Sequence, residues 1–362
     1  MKIDIIAGAR PNFIKIAPII EAIKKEQANG NDIIFRLVHT GQHYDKKMSG
    51  DFFKQLEISK PDINLKVGSG TQSEQTANIM IRYEQLLLNK SSDICLVVGD
   101  VTSTMACSIV AKKMGVKVAH VEGGIRSFDL SMPEEINRMI TDSITDYFFT
   151  TSTFANDNLE KLGISKNRIF YVGNTMIDTL LKQIPHFVKP DIFTELKLRE
   201  QKYLVLTMHR PVNVDKIEKL HQFLVILDQN VREFPVIFPV HPRTAKTIEE
   251  TNTVFKSIIQ IPPLPYLEFN YIVKNSMGVI TDSGGITEET TVMGIPCMTF
   301  RDNTERPETI TIGTNKLIGT NPNKLIPALE TLFSKKWKKG EIPDLWDGKA
   351  AQRIVQHLIT IK

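Results

Sequence analysis

Short apolar runs alternate with longer amphipathic stretches along the whole chain, which is the pattern of a parallel sheet wound with helices. One series of candidate strands comprises residues 3–6, 33–39, 94–98, 117–121 and 147–150. A second series comprises residues 169–172, 203–207, 236–240, 258–261, 279–281 and 296–299. Residues 349–361 have the pattern of one more helix. We therefore predict an α/β protein with a domain boundary near residue 170.

Length and composition agree with two globular domains. The 362 residues exceed what one hydrophobic core usually holds. Apolar residues make up 41% and charged residues 24% of the chain, which is ordinary for a globular protein. The 45 basic and 41 acidic residues are dispersed along the chain, so we expect no nucleic-acid partner.

The apolar runs and the cysteines indicate where the protein resides. No run has the length that a membrane span requires, and Asp4 and Arg10 interrupt the first run too soon for a signal peptide. Cys95, Cys107 and Cys297 lie far apart, which favours buried thiols over disulfides or metal ligands. We expect a cytoplasmic protein with no membrane partner.

Residues 281–289 have the sequence TDSGGITEE and directly follow an apolar run, which predicts a strand, a glycine turn and a helix. Gly284 and Gly285 let backbone N–H groups approach an anion, and the first turn of a helix favours negative charge. Glu289, one helical turn further on, is placed to bind the hydroxyl groups of a ribose. An ordinary turn capped by Ser283 explains this motif alone equally well.

Charged residues also follow strands of the first series, where open α/β sheets bind ligands. Arg10 follows the first strand and can bind a phosphate through two hydrogen bonds, although a surface position would also explain it. Asp100 and Glu134 lie at helix starts, so capping is the alternative for both. Glu122 directly follows a buried strand, and a solvated position explains it less well.

Two histidines end strands of the second series, and each has an arginine within two residues. They are His209 and His241. Neither has a partner at metal-ligand spacing, so we reject a metal site. His209 is better interpreted as a titratable or charged group near an anion, while a structural position would explain either histidine taken alone.

Eight sequence blocks along the chain form an ordered set. They are GARPNFIK (8–15), TGQHYD (40–45), VGD (98–100), HVEGGIRS (120–127), MPEEINR (132–138), VGNTMID (172–178), TDSGGITEE (281–289) and RDNTERPE (301–308). In identity and order they resemble the blocks of the non-hydrolysing UDP-N-acetylglucosamine 2-epimerases, a bacterial and archaeal family. The resemblance covers nearly the whole chain.

This resemblance implies the GT-B architecture, in which two Rossmann-like domains with parallel sheets are separated by an interdomain cleft. The implied N-terminal domain, residues 1–170, carries the catalytic carboxylates, and the implied UDP-binding domain comprises residues 171–345. A final helix, residues 346–362, would return to the first domain. The family likeness also implies a homodimer, a UDP-sugar substrate, and no need for a metal or a nicotinamide cofactor.

The resemblance assigns site residues position by position. The chemistry is assigned to Asp100, Glu122, Glu134 and His209. The UDP moiety is assigned to Arg10, Lys15, His209, Phe269, Ser283, Gly284, Gly285, Glu289 and Arg306.

The implied reaction inverts carbon 2 of UDP-N-acetylglucosamine to give UDP-N-acetylmannosamine for cell-surface polysaccharide precursors. In the family, UDP leaves carbon 1 as the carbon 2 proton is removed, and UDP then adds back to the enzyme-held 2-acetamidoglucal. A proton must be handled on each face of the sugar, which explains several carboxylates in one domain.

Other substrates and reactions stay open. Relatives with a similar block 41–45 act on 3-acetamido or uronic-acid sugars, and a hydrolysing 2-epimerase or a GT-B glycosyltransferase would use the same fold. Many family members are activated by a second UDP-N-acetylglucosamine, but residues 67–71 contain no arginine here, so we do not expect this activation. A glutamine that some relatives place near uracil aligns with Leu264.

Overall fold

The structure is a computed structural model, and it describes residues 1–41 and 58–361. Residues 42–45 of the TGQHYD block lie outside these ranges, so the expectations attached to them stay predictions. The backbone of Arg10 is described, whereas its side chain is not.

The chain forms two compact units. The first consists of Met1–Lys182 together with Asp344–Lys362, and the second consists of Gln183–Pro343. Each unit is built on one sheet whose neighbouring strands all run parallel. Parallel strands are buried on both faces, so helices must cover both sides of each sheet.

The first unit contains a seven-stranded sheet. Its strands are β1 (Lys2–Ala7), β2 (Ile34–His39), β3 (Ile63–Asn64), β4 (Ile94–Val98), β5 (Lys117–Val121), β6 (Tyr147–Thr150) and β7 (Ile169–Tyr171). Its helices are α1 (Arg10–Ala28), α2 (Gln72–Asn89), α3 (Thr102–Lys113), α4 (Pro133–Ile144), α5 (Thr153–Lys161) and α6 (Thr175–Gln183), with a 3-10 turn at Lys166–Arg168. The strand order β3-β2-β1-β4-β5-β6-β7 places the carboxyl ends of β1, β4 and β5 side by side.

Helix α2 illustrates how local sequence sets an element of this unit. The Thr71 hydroxyl accepts the Glu74 N–H at 3.2 Å, and the Glu74 carboxylate accepts the Thr71 N–H at 2.8 Å. This reciprocal capping box satisfies two backbone donors at the start of the helix. Ile79, Tyr83 and Leu87 follow at intervals of four residues and form its buried face.

Strand β7 belongs to the first sheet, although the sequence pattern placed residues 169–172 in the second series. It pairs in parallel with β6. In the following helix, the Thr179 hydroxyl donates to the Ile14 carbonyl oxygen at 2.6 Å. The assignment of this strand was wrong because strand pairing is a long-range contact that no local pattern reveals. The first unit accordingly extends to Lys182, beyond the predicted boundary near residue 170.

The second unit contains a six-stranded sheet in the order β10-β9-β8-β11-β12-β13. Its strands are β8 (Leu204–Thr207), β9 (Val236–Pro239), β10 (Ile258–Ile261), β11 (Gly278–Thr281), β12 (Cys297–Thr299) and β13 (Asn315–Leu317). Its helices are α7 (Asp191–Glu195), α8 (Pro211–Val214), α9 (Ile217–Asn230), α10 (Pro242–Glu249), α11 (Tyr266–Lys274), α12 (Gly284–Met293), α13 (Pro307–Thr311) and α14 (Leu325–Phe333), with 3-10 turns at Ile184–His186 and Pro322–Lys324.

Strand β8 shows how this sheet divides the core of the second unit. Leu204 and Leu206 pack into the apolar cluster on one face, whereas Val205 packs into the cluster on the other face. Successive side chains of a strand point to opposite faces, so a strand that is apolar at every position feeds both clusters. The sheet therefore lies in the middle of the unit, with an apolar cluster on each face.

The end of the chain forms helix α15 (Ala350–Thr360), which belongs to the first unit. The Asp178 carboxylate of α6 accepts the backbone N–H groups of Ala350 and Ala351 at 3.1 and 2.7 Å. Asp178 thus supplies the acceptor that the first turn of α15 requires. Burial raises the pKa of this carboxyl to about 6.

The burial of the cysteines and the length and apolarity of the helices were both used above to predict where the protein resides. Cys95, Cys107 and Cys297 are all buried free thiols, as predicted. Within residues 1–41 and 58–361, no helix has both the length and the apolarity that crossing a bilayer requires.

Candidate active site

Glu122 and Lys15 form a buried ion pair at the carboxyl end of the first sheet. Glu122 follows β5 with φ of 70°, a left-handed conformation that residues other than glycine rarely adopt. Its Oε2 accepts a hydrogen bond from Lys15 Nζ at 2.8 Å, and the side chains are 3% and 13% exposed, respectively. Strained residues of this kind cluster at functional sites. The structure thus brings together a predicted catalytic residue and a predicted UDP-binding residue.

Gly99 lies beside this ion pair, between β4 and Asp100. It has φ of 68°, and a Cβ atom added there would lie 3.4 Å from Lys15 Nζ and 3.9 Å from Glu122 Oε2. Both the backbone conformation and the limited space therefore favour glycine. Asp100 directly follows Gly99, so it lies only one residue along the chain from the Lys15–Glu122 pair.

Asp100 is held by helix α4. Its Oδ2 accepts hydrogen bonds from Arg138 Nη2 at 2.5 Å and Nε at 3.1 Å, and its backbone oxygen accepts one from Asn137 Nδ2 at 2.8 Å. The Asp100 side chain is 30% exposed, whereas that of Arg138 is 4% exposed. The N-cap of α3 is Val101, with no side-chain hydrogen bond. The capping alternative for Asp100 is therefore wrong.

Helix α4 begins with two glutamates that have different environments. Glu134 is exposed in the first turn. Glu135 is buried, and it accepts the backbone N–H groups of Ser127 and Phe128 at 3.0 and 3.1 Å and Arg138 Nη1 at 2.6 Å. Burial alone would raise the pKa of Glu135, but these hydrogen bonds outweigh it and hold the pKa below its usual range. The assignment of Glu134 to the chemistry stays a prediction, and Glu135 organises the adjoining loop.

A second buried carboxylate ties together the loops that carry Asp100 and Glu122. Asp142 Oδ1 lies 2.7 Å from His120 Nδ1, while Oδ2 accepts the Gly124 N–H at 3.0 Å and lies 2.6 Å from Arg126 Nη1. The other ring nitrogen of the histidine lies 2.8 Å from the backbone oxygen of the residue before Asp100. Burial works to raise the pKa of Asp142, but the neighbouring histidine and arginine hold it below its usual range.

In the second unit, Asp282 joins His209 to the turn after β11. Asp282 is fully buried, and its Oδ1 lies 2.9 Å from His209 Nδ1. It also accepts the backbone N–H groups of His209 and Arg210, at 3.1 and 3.0 Å, and Asn213 Nδ2 at 2.9 Å. Despite burial, which acts to raise it, the pKa of Asp282 is held below its usual range by these donors. Sequence reasoning selected His209 but missed the residue that orients it.

The predicted strand, glycine turn and helix are present. Strand β11 ends at Thr281 and helix α12 begins at Gly284, with Ser283 at the N-cap position. The Ser283 side chain makes no capping hydrogen bond, so the predicted cap is wrong. Instead, the Ser283 N–H donates to Thr281 Oγ1 at 3.0 Å, which turns the backbone back toward the strand. The first-turn N–H groups of α12 have no intrahelical acceptor and lie at a half-buried position suited to an anion.

Two arginines and a glutamate border this turn. A Cβ atom added at Gly284 would lie 3.1 Å from Glu305 Oε1. Glu305 Oε2 accepts a hydrogen bond from Arg301 Nη2 at 2.5 Å, and Arg210 Nη2 lies 3.8 Å from Oε1. Arg210 Nε also donates to the Asp282 backbone oxygen at 3.1 Å. The two guanidinium groups offset the carboxylate charge beside the helix N-terminus.

Glu289 is buried on helix α12. Its Oε1 accepts the Tyr266 hydroxyl at 2.8 Å. Burial raises the pKa of Glu289 to about 7, against the hydrogen bonds from Tyr266 and Asn270, and the neighbouring Glu288 contributes to the increase. Phe269 packs, half-buried, against the apolar cluster that covers one face of the sheet. The predicted contact of Glu289 with the ribose and the predicted contact of Phe269 with the UDP moiety stay predictions.

Arg306 is anchored by the residue next to Glu289. Arg306 Nε lies 2.6 Å from Glu288 Oε1, and both side chains are buried. The predicted UDP-binding residues Glu289 and Arg306 are thus connected through a glutamate that sequence reasoning did not single out. The sequence feature that could have pointed to Glu288 is the pair of adjacent acids at the end of the TDSGGITEE block.

His241 has a structural contact. Its Nδ1 accepts the Arg243 N–H at 3.3 Å and caps helix α10. In the part of the chain that the structure describes, no group of three or more His, Cys, Asp or Glu side chains has an arrangement that could hold a metal ion.

The fold and these residues define a class, the α/β proteins with two parallel sheets in which a glycine turn leads from a strand into the N-terminus of a helix. A family model described as UDP-N-acetylglucosamine 2-epimerase matches residues 25–359. A protein of that name from Methanocaldococcus jannaschii is 41% identical over 370 residues, which cover 99% of each chain. The chain belongs to the UDP-N-acetylglucosamine 2-epimerase family, so the resemblance noted in the sequence is confirmed.

Two further similarities add detail. A crystal structure of Methanocaldococcus jannaschii UDP-GlcNAc 2-epimerase in complex with UDP-GlcNAc and UDP matches with a TM-score of 0.88 and 41% identity, over 99% of this chain and 100% of that chain. A Pseudomonas aeruginosa protein named UDP-2,3-diacetamido-2,3-dideoxy-D-glucuronate 2-epimerase is 36% identical over 363 residues, 99% of each chain. The predicted fold class, with two Rossmann-like parallel α/β domains of GT-B type, is confirmed.

Proposed function

We propose that the protein interconverts UDP-N-acetylglucosamine and UDP-N-acetylmannosamine by inverting carbon 2 of the sugar. The observation that carries this proposal is similarity over 99% of the chain to a Methanocaldococcus jannaschii protein named UDP-N-acetylglucosamine 2-epimerase. The crystal structure from that organism, whose complex contains UDP-GlcNAc and UDP, supports the same substrate class.

The second unit is proposed to bind the UDP moiety. Supporting this, the first turn of α12 offers backbone N–H groups and a positive dipole end to a diphosphate, with Ser283, Gly284 and Gly285 at its start. Glu289 is proposed to accept the ribose hydroxyl groups, and Arg306 to contribute positive charge. Phe269, Arg10 and Lys15 are proposed to bind the UDP moiety as well.

The first unit is proposed to handle protons at carbon 2. Glu122 is the strongest candidate because it is buried, conformationally strained and paired with Lys15. Asp100 is proposed as a second group, with one oxygen bonded to Arg138 and the side chain partly exposed. Glu134 completes the proposed set, and its exposed position leaves it able to reach a ligand.

The proposed reaction is an elimination followed by the reverse addition. A carboxylate takes the carbon 2 proton, the bond between carbon 1 and oxygen breaks with its electron pair on UDP, and a 2-acetamidoglucal remains. A proton then adds to carbon 2 from the opposite face as UDP bonds again to carbon 1. The departing diphosphate gains negative charge, which the α12 N-terminus and a protonated His209 would offset.

The remaining expectations also belong to this proposal. The protein is proposed to act as a homodimer in the cytoplasm, to supply precursors of cell-surface polysaccharides, and to need neither metal nor nicotinamide. A UDP sugar is its proposed partner, with no nucleic acid and no membrane.

Product analysis by NMR with a small panel of UDP sugars tests the proposal. UDP-N-acetylglucosamine should give a stable mixture with UDP-N-acetylmannosamine and no free sugar. Free N-acetylmannosamine accumulating in step with UDP would instead identify a hydrolysing 2-epimerase. Turnover that appears only after an acceptor is added would identify a glycosyltransferase.

A modified sugar is the second candidate substrate. The Pseudomonas aeruginosa relative, named for a 2,3-diacetamido glucuronate, is 36% identical over 99% of both chains. The panel should therefore contain UDP-2,3-diacetamido-2,3-dideoxy-D-glucuronate. A kcat/KM for this sugar above that for UDP-N-acetylglucosamine would transfer the assignment to the modified substrate.

A further inference from the structure

The contact between Asp282 and His209 restricts which ring nitrogen can face a ligand. Asp282 Oδ1 lies 2.9 Å from His209 Nδ1, and the carboxylate is fully buried. An ionised carboxylate can only accept hydrogen bonds, so the ring nitrogen that faces it must carry the hydrogen. In a neutral ring this arrangement leaves the lone pair on Nε2.

The other partners of Asp282 keep the carboxylate in place. Its two oxygens accept the backbone N–H groups of His209 and Arg210 and the side-chain amide of Asn213. Rotating the carboxylate away from the ring would break several of these bonds in a buried environment, which is costly. The His209 side chain itself is 65% exposed, and no residue in the described ranges bonds its Nε2.

We propose that Asp282 is a positioning residue that holds His209 by Nδ1 and presents Nε2 to the nucleotide sugar. This inference rests on the proposed function, in which His209 faces the departing diphosphate. The carboxylate favours the Nδ1–H tautomer of the neutral ring and balances the charge of the protonated ring. His209 can then donate or accept at one defined position, Nε2, without turning.

His241 provides a reference within the same unit. Its Nδ1 accepts the Arg243 N–H at 3.3 Å, so the neutral ring must carry its hydrogen on Nε2. The two strand-end histidines are therefore expected to have opposite tautomers. Their difference is measurable in one sample.

Replacing Asp282 by Asn should reverse the tautomer of His209. The oxygen at the Oδ2 position meets donors from Arg210 and Asn213, so the amide oxygen of the variant is best placed there. The amide NH2 group then occupies the Oδ1 position and donates to His209 Nδ1, while the His209 backbone N–H, which lies 3.3 Å from Oδ2, is left to the amide oxygen. The ring must consequently carry its own hydrogen on Nε2.

The test combines ring ¹⁵N NMR, at a pH high enough to leave the rings neutral, with epimerisation kinetics. Wild-type His209 should show hydrogen on Nδ1 and His241 hydrogen on Nε2. Asp282→Asn should switch only His209 and lower kcat by about 100-fold, with a smaller change in KM. Asn213→Ala is the matched control: it removes another bond to the same carboxylate and should leave the His209 tautomer unchanged.

Two results would overturn the inference. One is a wild-type His209 that carries its hydrogen on Nε2, which can be read even where Asp282→Asn fails to fold. The other is an Asp282→Asn enzyme with an unchanged tautomer whose kcat falls no more than that of Asn213→Ala. If the wild-type tautomer is as expected but no epimer forms, the proposed function fails while the positioning contact stands.

Discussion

The two units each hold an aspartate against a histidine, and the two pairs differ at the second ring nitrogen. In the first unit, His120 is buried, with Nδ1 2.7 Å from Asp142 and Nε2 2.8 Å from the Gly99 carbonyl oxygen. In the second unit, His209 Nδ1 lies 2.9 Å from Asp282, and its side chain is 65% exposed. The two units thus contain the same kind of aspartate–histidine pair, with a buried histidine in the first unit and an exposed one in the second.

This difference separates a structural histidine from a chemical one. Both nitrogens of His120 are bonded within the protein, so the ring can only fix the loops around it. His209 is fixed through one nitrogen, and the exposure of its side chain leaves the other available to a ligand. Exposure and the partner of the second nitrogen, rather than the aspartate contact, decide which role a histidine has.

The largest effect is expected from His209→Asn. We expect kcat/KM for epimerisation to fall by about 10²- to 10⁴-fold, because a charge-balancing or proton-transferring group is lost. The free energy of unfolding should fall by only about 1 kcal/mol, because the buried Asp282 loses the ring donor but keeps its backbone and Asn213 donors. Steady-state kinetics and urea unfolding measure the two quantities. A loss of unfolding free energy as large as the loss of transition-state stabilisation would show that His209, like His120, is mainly structural.

The reverse result is expected for Asp142→Asn. Arg126 would lose its buried counter-charge and His120 its carboxylate acceptor, so the first unit should be destabilised by about 3–5 kcal/mol. The pKa of Asp142 is held below its usual range, so its stabilisation is present above the unfolded value of about 4. It is lost as the pH falls through the folded value. Urea unfolding of the variant and of wild type, measured at neutral pH and then at falling pH, tests this prediction. Unfolding curves that coincide at neutral pH would contradict it.

Glu289→Gln extends the comparison to a buried carboxylate that accepts few hydrogen bonds. Burial raises the pKa of Glu289 to about 7, so its contribution to stability is complete below the unfolded value near 4.5 and is lost as the pH rises through 7. At pH values above about 8 the glutamine variant should be more stable than wild type by about 3 kcal/mol. Unfolding curves between acidic and alkaline pH measure this. Parallel pH profiles for the two proteins would show that Glu289 is ionised in the folded state.

The smallest effect is expected from His241→Ala. The exposed ring caps α10 through one long hydrogen bond, so the loss of stability should be about 1 kcal/mol or less. Epimerisation should change far less than in His209→Asn. A loss of kcat/KM that matches that of His209→Asn would place His241 in the chemistry and remove its use as a structural reference.

Much of the fold follows from local pattern, whereas side-chain direction does not. The alternation of apolar and amphipathic stretches predicts two wound sheets, but β3 and β13 are too short to show a period. Adjacent Glu134 and Glu135 differ in burial because neighbouring positions point to different sides of a helix, and the motif alone cannot tell which side faces the core.

The positions after the strands were recognisable, but their partners were not. Glu122 and His209 stand out because each directly follows an apolar run. Asp142 and Asp282 act through contacts with residues 22 and 73 positions away, and only the folded chain shows them. A residue that orients another side chain does not lie at a characteristic sequence distance from it, so no motif reveals the pair.

Deuterium incorporation tests the central claim, inversion of carbon 2 by elimination and re-addition of UDP, most directly. UDP-N-acetylglucosamine is incubated with the protein in D2O, and carbon 2 of both epimers is followed by NMR. The account predicts UDP-N-acetylmannosamine that carries deuterium at carbon 2. Epimer that forms with its original hydrogen at carbon 2 would contradict it.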